Sequence, residues 1–357
     1  MGGDVIRARP RPSIAAPTVT VVVPCYRYGR YLPEVVRTTL AQEGVRVDIV
    51  IVDDASPDDS AEVARALADQ HDSVSAIVHT ENKGHIATYN DGIAAATGKY
   101  VVLLSADDLL APGSLARSSA LMEWNPSVSF VYGYAPYFSD EPPEPRRSHY
   151  SWSIWSGEQW IKRLCVRGSN VVTNPEVIMR REVMHELGGY DSALPHAADL
   201  LIWLRAAAMG SVGRVNGPDQ AYYRVHGMNM HLTDYAGVVT DLRERRRTFD
   251  TFLSGDLAGH PRCQHLRDLA YKALAVESLR WAIRTHDLVE EDSRESMKVY
   301  EDVALSLWPR ITSTVLWHRY RRRTTEVSHN TVDQLLFRAD WELRRRLRWR
   351  RWRRFGT

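Results

Sequence analysis

The sequence predicts an α/β protein, a mostly parallel sheet flanked by helices and followed by a helical C-terminal extension. Short β-branched runs alternate with helix-spaced segments through the first hundred residues. Two of those runs end on paired acids, Asp53-Asp54 and Asp107-Asp108. Beyond residue 232 only apolar residues at helical spacing remain.

In chain order, residues 1–17 read as a flexible N-terminal segment, 18–232 as the α/β domain and 233–357 as the helical region. "VTVVVP" (19–24) is a strand and "YLPEVVRTTLAQ" (31–42) a helix. "VDIVIVDD" (47–54) is the second strand. "SPDDSAEVARALADQ" (56–70) is a helix opened by Ser56 as cap and Pro57 at its first position. "VSAIVH" (74–79), "HIATYNDGIAAATG" (85–98) and "YVVLL" (100–104) continue as strand, helix and strand. A parallel sheet covered on both faces shows such unbroken apolar strands, and it places ligands at the carboxyl ends where both acidic pairs sit. The Pro- and aromatic-rich stretch 134–160 reads as a long loop with at most a short helix, and 168–184 returns to a strand and a helix. "AYYRVHGMNMH" (221–231) closes the domain.

Composition excludes several classes. At 357 residues, with 46 Lys+Arg against 44 Asp+Glu, net charge selects no partner. Cys25, Cys165 and Cys263 form no CxxC pair, which suits a reducing cytoplasm. The N-terminus lacks a signal-peptide core and no run of eighteen apolar residues occurs, so no membrane span is expected. Neither GxGxxG after the first strand nor GxxxxGK[ST] is present. Without a backbone cradle for phosphate, a carboxylate-held divalent cation is the natural substitute. Mg2+ or Mn2+ takes one or two protein carboxylates and completes its shell with water and phosphate oxygens. The other reading of Asp107-Asp108 is a cap for the helix that follows.

Four segments, "VTVVVPCYRYGRYLPEVVRTTLAQ", "VDIVIVDDASPDDS", "ENKGHIATYNDGIAAATGKYVVLLSADDLLAPGSL" and "GGYDSALPHAADLLIWLRAAAMG", follow in order those of family 2 glycosyltransferases. Residues 18–232 thus resemble that family. The resemblance implies a GT-A type, Rossmann-like sheet and an inverting, metal-assisted transfer from a nucleoside-diphosphate sugar, with a UDP-sugar favoured. It implies that Pro24 and Tyr26 pack on the nucleoside, that Asp53 and Asp54 hydrogen-bond base and ribose, and that Asn82, Gly84 and His85 border the donor. Tyr89 stands where many members carry Arg, so His85 or Lys83 is expected to take over part of that contact. The family's DxD motif reads Ser105-Ala106-Asp107 here, leaving Asp107 as the metal ligand with Ser105 and Ala106 beside the donor. Asp108 supports Asp107 or caps the helix.

Asp199, before "LLIWLR", matches the family's general base, with Ala198 in place of a Glu; its other reading is a helix cap. Trp203 and Arg205 read as packing and charge on that helix. His226, three residues before Asn229, matches a His that in some relatives joins the metal or diphosphate, and reads equally as structural. Trp152 and Trp155, with Trp160, suit stacking on an acceptor or plain packing over the sheet.

The final segment sets Val332, Leu335, Leu336, Ala339, Leu343 and Leu347 on one helix face among arginines and Trp341, Trp349, Trp352 and Phe355. An anionic membrane surface, a nucleic acid and a solvated tail are its three readings, with nucleic acid the least expected. The expected location is cytoplasmic, or peripheral on the inner face of a membrane. The acceptor, a glycan, a lipid-linked glycan or a natural product, is left open. A non-catalytic GT-A domain that binds a nucleotide sugar or glycan is the alternative to the enzyme, fed by Ser105, Ala198 and Tyr89.

Overall fold

The computed structural model describes residues 5–13, 15–146, 150–227, 229, 237–288, 293–325 and 331–356. The expected domain boundary at 232–233, and Met228, Met230 and His231 of the closing segment, lie outside the described residues. The chain divides into two compact units, residues 1–161 with 172–229, and residues 162–171 with 230–357.

The first unit contains strands β1 (Ile6–Ala8), β2 (Thr18–Cys25), β3 (Arg46–Asp53), β4 (Val74–Val78), β5 (Tyr100–Leu103) and β6 (Leu109–Leu110). Strands β7 (Val128–Tyr132), β8 (Tyr137–Phe138), β9 (Ser151–Trp155), β10 (Ile178–Arg180), β11 (Ser211–Asn216) and β12 (Ala221–Arg224) follow. Its helices are α1 (Leu32–Leu40), α2 (Ser60–Gln70), α3 (His85–Ala95), α4 (Ser114–Trp124), α5 (Gly157–Arg167), which runs on past residue 161, α6 (Arg181–Glu186) and α7 (Ala198–Met209).

The main sheet has the order β1-β9-β11-β7-β10-β5-β2-β3-β4. Its pairings make β9 and β10 run against the other strands. Strand β2 lies inside the sheet between β5 and β3, and its Val19, Val21, Val22 and Val23 are all buried, alternate residues facing opposite layers. It pairs with β3 in unbroken register from Thr18↔Arg46 to Cys25↔Asp53, so both strands end level. A second, small sheet, β6-β12-β8, forms just past the end of β5.

Several expectations change. Residues 6–8 are not loose: β1 pairs antiparallel with β9. Helix α2 starts at Ser60 rather than at Pro57, because Ser56 accepts the Arg27 N–H and Asp58 accepts the Ser60 N–H. Helix α3 stops at Ala95, where the Thr20 hydroxyl takes the N–H groups of Thr97 and Gly98. The stretch taken as a loop holds β8 and β9, the latter flanked by strands on both sides.

The second unit is helical, with α8 (Val238–Thr251), α9 (Cys263–Leu288), α10 (Ser293–Leu307), α11 (Val315–Thr325) and α12 (Thr331–Phe355). A π-helical turn at Phe252–Asp256 follows α8. Phe249, Phe252, Leu274, Leu279 and Ile283 are buried. Among the described residues no helix is long and apolar enough to cross a membrane.

Candidate active site

Asp107 and Asp108 lie between β5 and β6, and the pairing of β12 with β6 brings a distant segment over them. The register Ala221↔Leu110, Tyr222↔Leu109 runs on to set Arg224 beside the acids. The Arg224 N–H donates to Asp108 Oδ1 at 2.9 Å and its Nε donates to the Asp107 carbonyl at 2.9 Å. Its far end bonds Glu34 at 2.8 Å and lies over the Tyr31 and Phe138 rings. Two residues further, His226 Nε2 meets Asp107 Oδ2 at 2.9 Å, and the Asn229 side chain holds the His226 N–H at 2.6 Å.

Burial raises Asp107 above the usual carboxylate range, although the His226 bond and the Arg224 charge pull the other way. Asp108 is pushed higher, first by burial and then by the charge of Asp107, against its bond from Arg224. Through the bond from the Arg224 N–H, Asp108 ties the end of β12 to the turn between β5 and β6. Tyr28 and Tyr31 wall His226 in, the first edge-on at 5.4 Å and the second stacked at 6.0 Å between ring centres.

Among the described residues no group of three or more His, Cys, Asp and Glu gathers around one point. The protein thus offers an ion one carboxylate and one imidazole. The two are joined by a 2.9 Å hydrogen bond, which a bound cation would replace. The pair fits Mg2+ or Mn2+ with water and phosphate oxygens in the remaining positions.

The adjacent edge is built from the loops after β2 and β3. Arg27 and Ala55 both take left-handed backbone, with φ of 61° and 52°, a strain that persists where surrounding bonds impose it. Arg27 N–H to the Ser56 hydroxyl and Gly29 N–H to the Ser60 hydroxyl tie the loops together. Asp53 accepts the Ser56 N–H through Oδ2, and its buried Oδ1 has no hydrogen-bond partner among the described residues. Pro24, the last residue but one of β2, stands opposite Val52, and Tyr26 is exposed under the Arg27 guanidinium.

The Asp54 Oδ1 takes His79 at 2.7 Å and the Lys83 N–H at 2.8 Å, while Oδ2 takes the Gly84 N–H at 2.9 Å. Through these three bonds Asp54 shapes the 82–84 turn. Asn82 adds a bond to the Asp54 carbonyl. Lys83 pairs with Asp91, and His85 bonds the Pro195 carbonyl.

Asp199 stands in the first turn of α7, where its carboxylate accepts the Leu200 N–H at 2.7 Å. The loop before it is fastened to α3 by two bonds between Asn90 and the Tyr190 backbone, 2.9 and 2.8 Å. Burial raises the Tyr190 hydroxyl, with the charge of Asp199 adding to it. Tyr89 packs edge-on against His85 and Tyr190, both at 5.4 Å. Burial also raises Tyr223, with Asp108 and Asp107 adding their charges, and Tyr223 meets the exposed Tyr137 at 5.2 Å. A row of tyrosines thus runs from the Asp107 end toward Asp199.

Other expected residues are elsewhere. Trp152, Trp155 and Trp160 are 2 %, 0 % and 0 % exposed. Residues 152 and 155 point to opposite faces of β9, and both faces are covered, Trp155 stacking on Tyr132. They are core, not acceptor platforms. The Ala106 side chain is likewise buried, and Ser105 contributes its carbonyl to the Asp108 N–H. Trp203 packs on Phe130 and Tyr190, and Arg205 faces Asp191. The sequence reading missed Tyr28, Tyr31, Tyr137, Tyr223, Arg224 and Glu34. The tyrosine-rich "YRYGRY" right after a central strand was the available signal for the first two.

Residues 20–188 match the family described as Glycosyl transferase family 2. An uncharacterised glycosyltransferase of Nostoc sp. is 28 % identical over 225 residues, covering 60 % of this chain and 67 % of the relative. The glycosyltransferase GlyG of Streptococcus pneumoniae is 40 % identical over 93 residues, 26 % of this chain and 31 % of that protein. Among solved structures, a mannosyltransferase from Pyrobaculum calidifontis in complex with GDP-Man and Mn2+ aligns with a TM-score of 0.55 at 20 % identity, covering 93 % of this chain and 89 % of that one. Residues 1–349 of TarS from S. aureus, in complex with UDP-GlcNAc, align with a TM-score of 0.60 at 15 % identity, covering 86 % and 88 %. These likenesses show the GT-A fold.

Proposed function

We propose that this chain is a family 2 glycosyltransferase, with residues 20–188 as the matched domain, and that it carries out an inverting transfer of a sugar from a nucleoside diphosphate, a UDP-sugar first, to an acceptor hydroxyl or amine. The observation that carries this reading is the meeting of Asp107 and His226 at 2.9 Å beyond the end of β5. Asp107 and His226 would hold a divalent cation, which when bound offsets charge on the leaving diphosphate. GDP-Man with Mn2+ in the mannosyltransferase and UDP-GlcNAc in TarS support a nucleotide-sugar donor and a divalent ion.

The donor lies along the β2 and β3 loops, where the unpaired Asp53 Oδ1 is an acceptor for a base N–H and Tyr26 offers a ring face. Asp199 takes the acceptor proton as the new bond to the anomeric carbon forms and the bond to the diphosphate oxygen breaks. Tyr137 and Tyr223 replace the two buried tryptophans as rings for the acceptor side.

The test is nucleoside diphosphate release from a panel of nucleotide sugars with Mn2+ or Mg2+. Wild type is expected to turn over one of them, and Asp199→Asn to lose at least about a hundredfold in kcat while still binding the free nucleotide. Turnover by the variant at the wild-type rate would remove Asp199 from the base role. Release from no sugar nucleotide would overturn the donor reading.

A further inference from the structure

Helix α12 is apolar on two opposite faces, and the second unit covers one of them. Phe337, Trp341 and Trp352 fall on one side of the helix at 100° per residue. Phe337 is buried, Trp341 meets Trp281 edge-on at 5.0 Å, and the Trp352 indole N–H donates to the Val171 carbonyl at 2.7 Å. The other side carries Val332, Leu336, Ala339, Leu343 and Leu347, with Leu335 at its margin. Those side chains stand in water: Val332 is 66 % exposed, Leu336 58 %, Leu343 56 % and Leu347 51 %. Single exposed leucines are ordinary, but a continuous row along four turns marks a docking face.

Charge says what the face meets. From Leu343 to Phe355 the helix holds arginines at 344, 345, 346, 348, 350, 351, 353 and 354 and no acid. Its three acids lie earlier and are already engaged: Asp333 by Arg319 and Arg323, Asp340 by Arg280 and Arg344, Glu342 by Arg345. A second copy laid along this face would bring two arginine rows together, which repel. A nucleic acid would pair the arginines and leave the leucines wet. An anionic lipid surface takes both, because acyl chains receive the apolar row and headgroups receive the guanidinium groups.

We propose that α12 is an interfacial helix that lies in the plane of an anionic lipid membrane. Val332, Leu336, Leu343 and Leu347 enter the acyl boundary, Arg346, Arg350 and Arg351 pair with lipid phosphates, and Trp349 sits at headgroup depth. The arginines exclude spanning, as does the hydropathy of every described helix. This surface does not depend on the transfer chemistry, so its failure leaves the donor site untouched.

The test uses the full-length protein, sedimented with vesicles of phosphatidylcholine alone or mixed with phosphatidylglycerol. Wild type is expected to sediment with the mixed vesicles only. The combined Leu336→Glu, Leu343→Glu and Leu347→Glu variant, and the combined Arg346→Gln, Arg350→Gln and Arg351→Gln variant, are each expected to lower that partition by about tenfold or more. Both keep the wild-type unfolding temperature, since all six side chains are exposed. No sedimentation of wild type, equal sedimentation with neutral vesicles, or unchanged binding by the glutamate variant would overturn the proposal. So would a dimer in light scattering that the glutamate variant dissolves, which would assign the face to a second copy.

Discussion

Both oxygens of Asp54 are committed, Oδ1 to the His79 ring and the Lys83 N–H, Oδ2 to the Gly84 N–H. Burial alone would raise this carboxyl, but these bonds outweigh it and hold it below its ordinary value. A group depressed by folding contributes stability that is full above its unfolded pKa and is lost as pH falls through the folded one. Wild type is therefore expected to lose stability below about pH 4. Asp54→Asn should unfold more easily at neutral pH, by about 2–4 kcal/mol for the charged bonds lost, with a flatter acid limb; thermal melts from pH 3 to 7 check both. A neutral-pH melt unchanged by the substitution would mean the turn at 82–84 stands without it. The acids themselves were legible, because carboxylates after unbroken apolar runs have few other reasons to be there. His226, 119 positions away from Asp107, was legible only through the family resemblance, and Arg224, which bonds both acids, was not legible at all.

Helix α3 and the loop before α7 act together through Asn90, Gly189 and Tyr190. Gly189 has φ of +83°, and a Cβ there would lie 2.3 Å from Asn90 Oδ1. Gly189→Ala should break both Asn90–Tyr190 bonds and cost about 2–3 kcal/mol. Because the loop leads into Asp199, kcat should fall by more than nucleotide affinity does. Equal losses in both would show that the clamp serves the whole domain. The β2–α1–β3–α2–β4–α3–β5 succession was readable because strands buried on two faces appear as apolar runs between amphipathic helices. Strand β9 was not, since its Trp-rich sequence has no period of its own and its partners come from residues 6–8 and 212–216. The two-residue β6 was equally silent, yet its pairing with β12 puts His226 in place.

Over the whole molecule, the α/β unit carries the proposed transferase site and the helical unit carries an arginine-rich face of its own. Helical spacing announced the second unit, and the leucine row of α12 was visible too. That Phe337, Trp341 and Trp352 form an opposite, protein-facing row emerged only once α9 was packed beside the first two and Val171 beside the third. The central claim is that Asp107 and His226 hold a divalent cation for a nucleotide diphosphate. It is tested most directly by calorimetric titration of UDP into the protein with and without Mn2+, beside Asp107→Ala and His226→Ala. The account expects UDP to bind wild type in the presence of Mn2+, to bind at least about tenfold more weakly without it, and to lose the metal-dependent part in Asp107→Ala. UDP binding of equal strength without metal, or Mn2+-dependent binding retained in Asp107→Ala, would contradict it.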